Sequence, residues 1–91
     1  MVSVLVGRGQ SVATAESLTG GLIGAALTSV PGSSAAYRGG VVAYATDLKH
    51  TLAGVPSGVL AAFGPVSEQT AVALATGVRD AAGADWAVSA T

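Results

Sequence analysis

The stretch "ATAESLTGG", Ala13 to Gly21, decides how the chain is read. A short apolar run meets a glutamate and a serine, and then Thr19, Gly20 and Gly21 open what reads as a helix. Upstream, Ser11 to Ala15 has the length of a buried strand bounded by "GRGQ" and Glu16. Downstream, Leu22, Ile23, Ala26, Leu27 and Val30 recur at helical spacing until "PGSS" stops them, so the helix is expected over Leu18 to Val30. Strand, turn and helix follow one another with Ser17 at the junction.

Outward from that unit the alternation continues. Met1 to Val6 reads as the tail of a helix. "GGVVAYAT", Gly39 to Thr46, is a second strand with β-branched residues near its centre. Asp47 to Ala53 reads as a short helix closed by Gly54, and "PSGVLAAFG" as one or two further helical turns. Ser67 caps a helix from Glu68 to Ala82, with Ala71, Leu74, Ala75, Val78 and Ala82 on one face and Gly83 at its end. Ala84 to Ala90 resumes as a strand. Helices alternating with strands predict an α/β fold of three layers, α/β/α, around a mostly parallel sheet. No repeat, linker or low-complexity tract divides residues 1–91, which are read as one domain.

Composition narrows the function classes. The formal net charge of −1 gives no electrostatic footprint for nucleic acid or an anionic membrane. With no cysteine and one histidine, thiolate and ordinary zinc sites are excluded, so no metal is expected. "TGGLIG" lacks the G-x-G-x-x-G spacing of a dinucleotide-binding turn, and no cofactor is expected. The longest uncharged stretch, Leu18 to Tyr37, contains Pro31, five Ser/Thr and four glycines, which does not read as a membrane span. "MVSVLVGRGQ" lacks the pattern of a signal peptide, and a cytoplasmic location is expected.

Ser17 has two readings. As a helix N-cap its hydroxyl would satisfy a free backbone N–H. As a nucleophile it would sit where Gly20 and Gly21 let a ligand approach the backbone, and where a helix N-terminus favours a phosphate or a developing oxyanion. A nucleophilic serine needs a base. His50 with Asp47 or Asp85 would complete a triad, but nothing in the sequence brings His50 to Ser17. Lys49, the only lysine, is the alternative. To serve as a base a lysine must lose its proton near neutral pH, which takes burial or a nearby positive charge such as Arg38 or a bound cationic ring. If the first two strands are parallel neighbours, Tyr44 and Lys49 reach the sheet edge that carries Ser17, the edge where open α/β sheets bind ligands.

The ordered pieces "TAES" with "TGG", "VPGSS", "RGGVVAY", a lysine shortly after, and "VSE" heading a helix closely resemble the CinA C-terminal domain family, the nicotinamide-nucleotide amidohydrolases. The resemblance runs from about Gly9 to Thr91. It implies metal-free hydrolysis of the carboxamide of nicotinamide mononucleotide to nicotinate mononucleotide and ammonia, with the family's serine, tyrosine and lysine falling on Ser17, Tyr44 and Lys49. Thr19, Gly20, Gly21, Arg38 and Thr91 are the expected substrate-binding positions. Where the family has "AESCTGG", this chain has Leu18 in place of the cysteine.

The family pattern also continues past Thr91 into a glycine-rich loop and further strands, so the sheet is expected to be unfinished, with an open edge and a tendency to homo-oligomerise. The expected partner is a small nucleotide substrate. The rival expectation is a non-catalytic module that keeps this fold and binds a nucleotide or a protein.

Overall fold

The computed structural model describes residues Met1–Thr91, in the order α1 (Val2–Arg8), β1 (Val12–Glu16), α2 (Leu22–Thr28), a 3-10 turn (Ser33–Ala35), β2 (Tyr37–Val42), α3 (Thr46–Thr51), α4 (Ser57–Phe63), α5 (Glu68–Ala82) and β3 (Trp86–Ala90). The sheet order is β2-β1-β3, and both pairings are parallel. This is the expected α/β class. β1 is central, and all five of its residues are buried.

Adjacent residues on a strand face opposite sides of the sheet, and the two sides of β1 meet different helices. Val12 packs with Val2 and Leu5 of α1, Leu27 of α2 and Ala36. Ala13 and Ala15 pack on the other side with Ala53, Val55, and Leu74 and Val78 of α5. Helices therefore cover both faces, which gives the three layers. No helix is long and apolar enough to cross a membrane.

α5 has the expected bounds. The Ser67 hydroxyl accepts from the Thr70 N–H, and Gly83 closes the helix in the left-handed conformation at φ 63°. β2 differs: it starts at Tyr37 and ends at Val42 rather than running from Gly39 to Thr46. Ala43 still donates its N–H to the Glu16 carbonyl at 2.8 Å, after which the chain leaves the sheet and enters α3. The expected start of α2 is also corrected. Leu18 to Gly21 form a turn, and the helix begins only at Leu22.

Small residues allow close layers. An added Cβ on Gly77, midway along α5, would lie 1.7 Å from the Ala53 carbonyl oxygen, so this helix rests directly on backbone. Gly77→Ala is expected to destabilise the fold by about 1–3 kcal/mol or more despite alanine's better helix propensity. Urea unfolding of the two forms measures this, and equal midpoints would contradict the packing.

Candidate active site

Three chain segments meet at the C-terminal edge of the sheet. β1 ends in Glu16 and delivers Ser17, whose N–H donates to the Ala90 carbonyl at 2.8 Å at the end of β3. β2 delivers Ala43 and Tyr44, and α3 returns Lys49 beneath them. Lys49 is 2% exposed and Ser17 8%. The Lys49 Nζ lies 3.0 Å from the Ser17 Oγ, 2.9 Å from the Ala43 carbonyl and 3.2 Å from the Tyr44 carbonyl. An ammonium has three N–H groups, and here each has an oxygen to meet. The only salt bridge in the chain joins Arg79 and Asp80, so no carboxylate pairs with Lys49.

Chemically, this is a hydroxyl beside an amine in a buried setting. When the amine carries its proton it donates to the Ser17 Oγ. In the neutral form its lone pair is in reach of the hydroxyl proton, which is the arrangement a serine needs to become a nucleophile. His50 takes no part: its Nδ1 meets the Val55 carbonyl at 2.7 Å, and its side of α3 is exposed. Asp85 is engaged by the Ser11 N–H and hydroxyl at the opposite sheet edge.

The N-cap reading of Ser17 is overturned, because the α2 N-terminus is capped by Glu16. This glutamate, 3% exposed, accepts from the Thr19 hydroxyl at 2.7 Å, the Ile23 N–H at 2.7 Å and the Gly24 N–H at 3.0 Å. Desolvation alone would raise its pKa. The hydrogen bonds from Gly24, Ile23, Thr19 and Gly21 together outweigh that and hold it below the ordinary carboxylate value of 4.5. Nothing in the sequence reading singled out Glu16. The signal was present, since a glutamate at a strand end shortly before a glycine-opened helix can reach forward to its free N–H groups.

The remaining expected residues are placed as follows. Thr19 and Gly21 turn inward to Glu16, and the Gly20 N–H donates to the Ser17 carbonyl at 3.1 Å. The helix N-terminus that could have received a phosphate is thus filled by the chain's own carboxylate. The N–H groups of Leu18 and Thr19 find no acceptor in the chain. Thr91 lies on the same edge as Ser17, and its hydroxyl donates to the Pro65 carbonyl. Tyr44 reaches Lys49 through its carbonyl, while the residue is 76% exposed and its side chain makes no hydrogen bond to Ser17 or Lys49.

Arg38 is not brought to the site. It sits at the start of β2, the opposite end of the sheet, and its Nε donates to the Ala82 carbonyl. A residue's position along a parallel strand fixes which edge it serves, and the beginning of a strand lies away from the ligand edge. No group of three or more His, Cys, Asp or Glu is arranged to hold a metal ion.

Comparisons with known proteins bear on the family and the fold. The family model for the CinA C-terminal domain matches residues 1–91. A CinA-like protein of Frankia casuarinae is 50% identical over 91 residues, all of this chain and 21% of that protein. One from Anaeromyxobacter dehalogenans is 52% identical over 91 residues, covering 22% of its length. Among solved structures, the competence/damage inducible protein CihA from Agrobacterium tumefaciens superposes with a TM-score of 0.92 at 43% identity, over 97% of this chain and 53% of that one. A CinA superfamily protein from Escherichia coli gives 0.92 at 30% identity, over 96% and 51%. The chain thus spans about a fifth of the curated relatives and about half of the solved ones.

Glu16 makes stability depend on pH. Its folded pKa lies below the unfolded one, so on acidification the unfolded chain takes up the proton first. Its contribution is complete above the unfolded value and is lost as pH falls through the folded value. Glu16→Gln is expected to lower the melting temperature near pH 7 and to flatten its decline below about pH 4.5. Parallel melting curves for the two forms from pH 7 to pH 3 would contradict this.

Proposed function

The chain belongs to the CinA C-terminal domain family, and on that premise we propose that it carries the hydrolytic centre for the carboxamide of nicotinamide mononucleotide, giving nicotinate mononucleotide and ammonia. One observation carries the reading: a buried lysine amine 3.0 Å from a serine hydroxyl at the ligand edge of a parallel sheet. The substrate's identity comes from the family resemblance, and the Ser–Lys contact supplies chemistry suited to an amide.

In the proposed reaction, neutral Lys49 accepts the hydroxyl proton as the Ser17 Oγ attacks the carboxamide carbon. The N–H groups of Leu18 and Thr19, free of other partners, are the donors available to the tetrahedral oxyanion. Lys49 returns the proton to the departing nitrogen, the C–N bond breaks, and ammonia leaves an ester on Ser17. Water, deprotonated by Lys49, cleaves the ester to the carboxylate and restores the serine. Tyr44 and Thr91 border this edge as substrate-contacting positions, Tyr44 offering an exposed aromatic face to a flat ring.

All three arginines belong to the other end of the sheet: Arg8 closes α1 ahead of β1, Arg38 is the second residue of β2, and Arg79 lies in the last turn of α5 ahead of β3. In this reading the chain holds the reacting carboxamide, and none of its arginines grips the substrate phosphate.

Ser17→Ala is expected to cut ammonia release from nicotinamide mononucleotide by about a thousandfold or more. The accompanying stability cost is about 1–3 kcal/mol, because a buried N–H of Lys49 loses its acceptor. Lys49→Arg should be as damaging as Lys49→Ala, since arginine keeps the charge and cannot give up its proton at working pH. Steady-state ammonia release measures all three. Near-normal turnover by Ser17→Ala or Lys49→Arg would sink the mechanism.

A further inference from the structure

Glu16 is the one buried ionisable group at this edge that the proposed reaction does not use. We infer that it is a positioning residue, locking the end of β1 so that Ser17 is held against Lys49; this rests on the reading of Ser17 as the nucleophile.

The argument is geometric. Glu16 and Ser17 are consecutive at the end of an extended strand, so their side chains leave on opposite faces of the sheet. The carboxylate goes to the α2 side, where Thr19, Ile23 and Gly24 hold it. The hydroxyl goes to the α3 side, where Lys49 meets it. Rotation of one is therefore rotation of the other.

Main-chain bonds extend the lock. The Glu16 carbonyl accepts from the Ala43 N–H at 2.8 Å, and the Ala43 carbonyl in turn accepts from the Lys49 Nζ at 2.9 Å. One residue thus ties together the serine's strand, the turn that follows it and the carbonyl that seats the lysine. Because the carboxylate has already taken the Ile23 and Gly24 N–H groups, the unoccupied donors next to Ser17 are those of Leu18 and Thr19.

Glutamine cannot replace this carboxylate. In either orientation its side-chain NH2 would face a backbone N–H, that of Ile23 or that of Gly24, where an acceptor is required, so the turn must rearrange. A displacement of order 1 Å at a reacting group costs about 10²-fold.

The test uses a phosphonofluoridate that labels nucleophilic serines: the Ser17 oxygen bonds phosphorus, fluoride leaves and the hydroxyl proton passes to Lys49. Labelling of Ser17, read by mass spectrometry well below the melting temperature, is followed beside ammonia release from nicotinamide mononucleotide. In Glu16→Gln both the labelling rate and kcat are expected to fall by about 10 to 100-fold with KM changed by less than about threefold. Asp85→Ala removes the Ser11 contacts at the far sheet edge and controls for stability alone; it should lower the melting temperature while labelling at the parent rate.

Parental labelling by folded Glu16→Gln, or an equal fall in Asp85→Ala, would overturn the proposal. If Glu16→Gln does not fold, Thr19→Val decides, since it removes only the hydroxyl bond to the carboxylate; a slower labelling rate supports the lock and an unchanged one overturns it. Labelling without ammonia release would set aside the assigned substrate and leave the positioning role intact. Failure of the parent chain to label at Ser17 would overturn both.

Discussion

A lysine amine buried without a carboxylate is the constraint on which the arrangement of this chain depends. Taking a cation out of water is costly unless its hydrogen-bonding capacity is met. Lys49 meets it with the Ser17 hydroxyl and the carbonyls of Ala43 and Tyr44. Those three oxygens come from two different strand ends, so they converge only if β1 and β2 are parallel neighbours in one register, with Glu16 opposite Val42. A slip of one residue would turn Ser17 away from α3 and toward α2. The same register places Ala90 opposite Glu16 on the other side, where its carbonyl takes the Ser17 N–H. Three strands, therefore, fix one hydroxyl.

The layers around this point are held close by small residues. An added Cβ on Gly40 of β2 would fall 2.1 Å from the Thr14 hydroxyl oxygen, just where Thr14 meets the Tyr37 hydroxyl at 2.6 Å. Alanines at 13 and 15 leave room for α5 to lie against the sheet through Leu74 and Val78. The weight of alanine and glycine in the composition thus has a geometric use: backbones approach one another and the buried polar groups find partners at short range. No buried side-chain nitrogen or oxygen lacks a hydrogen bond.

Features whose causes are local were legible in the sequence. Ser67 and Gly83 carry their signals within a turn of the helix they bound, and α5 has the expected limits. The strand alternation and the approach of Lys49 to Ser17 followed from parallel topology. The start of α2 differs from the expected one because its cap is supplied by Glu16, a strand residue reaching forward to N–H groups seven and eight positions on, while Ser17, the ordinary capping type, turns to the other face. Arg38 was expected at the site through the family resemblance, whereas its place at the start of β2 puts it at the edge of a parallel sheet away from Ser17. Of the two tyrosines, only Tyr37 inserts its hydroxyl into the α2 side of the sheet, whereas Tyr44 leaves its ring in solvent. Helical and strand periodicity treat those two residues alike, and tertiary packing separates them.

The central claim is that Ser17 forms a covalent ester during turnover. Acid-quenching the protein during reaction with nicotinamide mononucleotide and digesting it at arginines should release the peptide Gly9 to Arg38. The account predicts that this peptide carries the nicotinate mononucleotide acyl group on Ser17. Turnover with that peptide unmodified at every quench time, or with the acyl group on another residue, would contradict it.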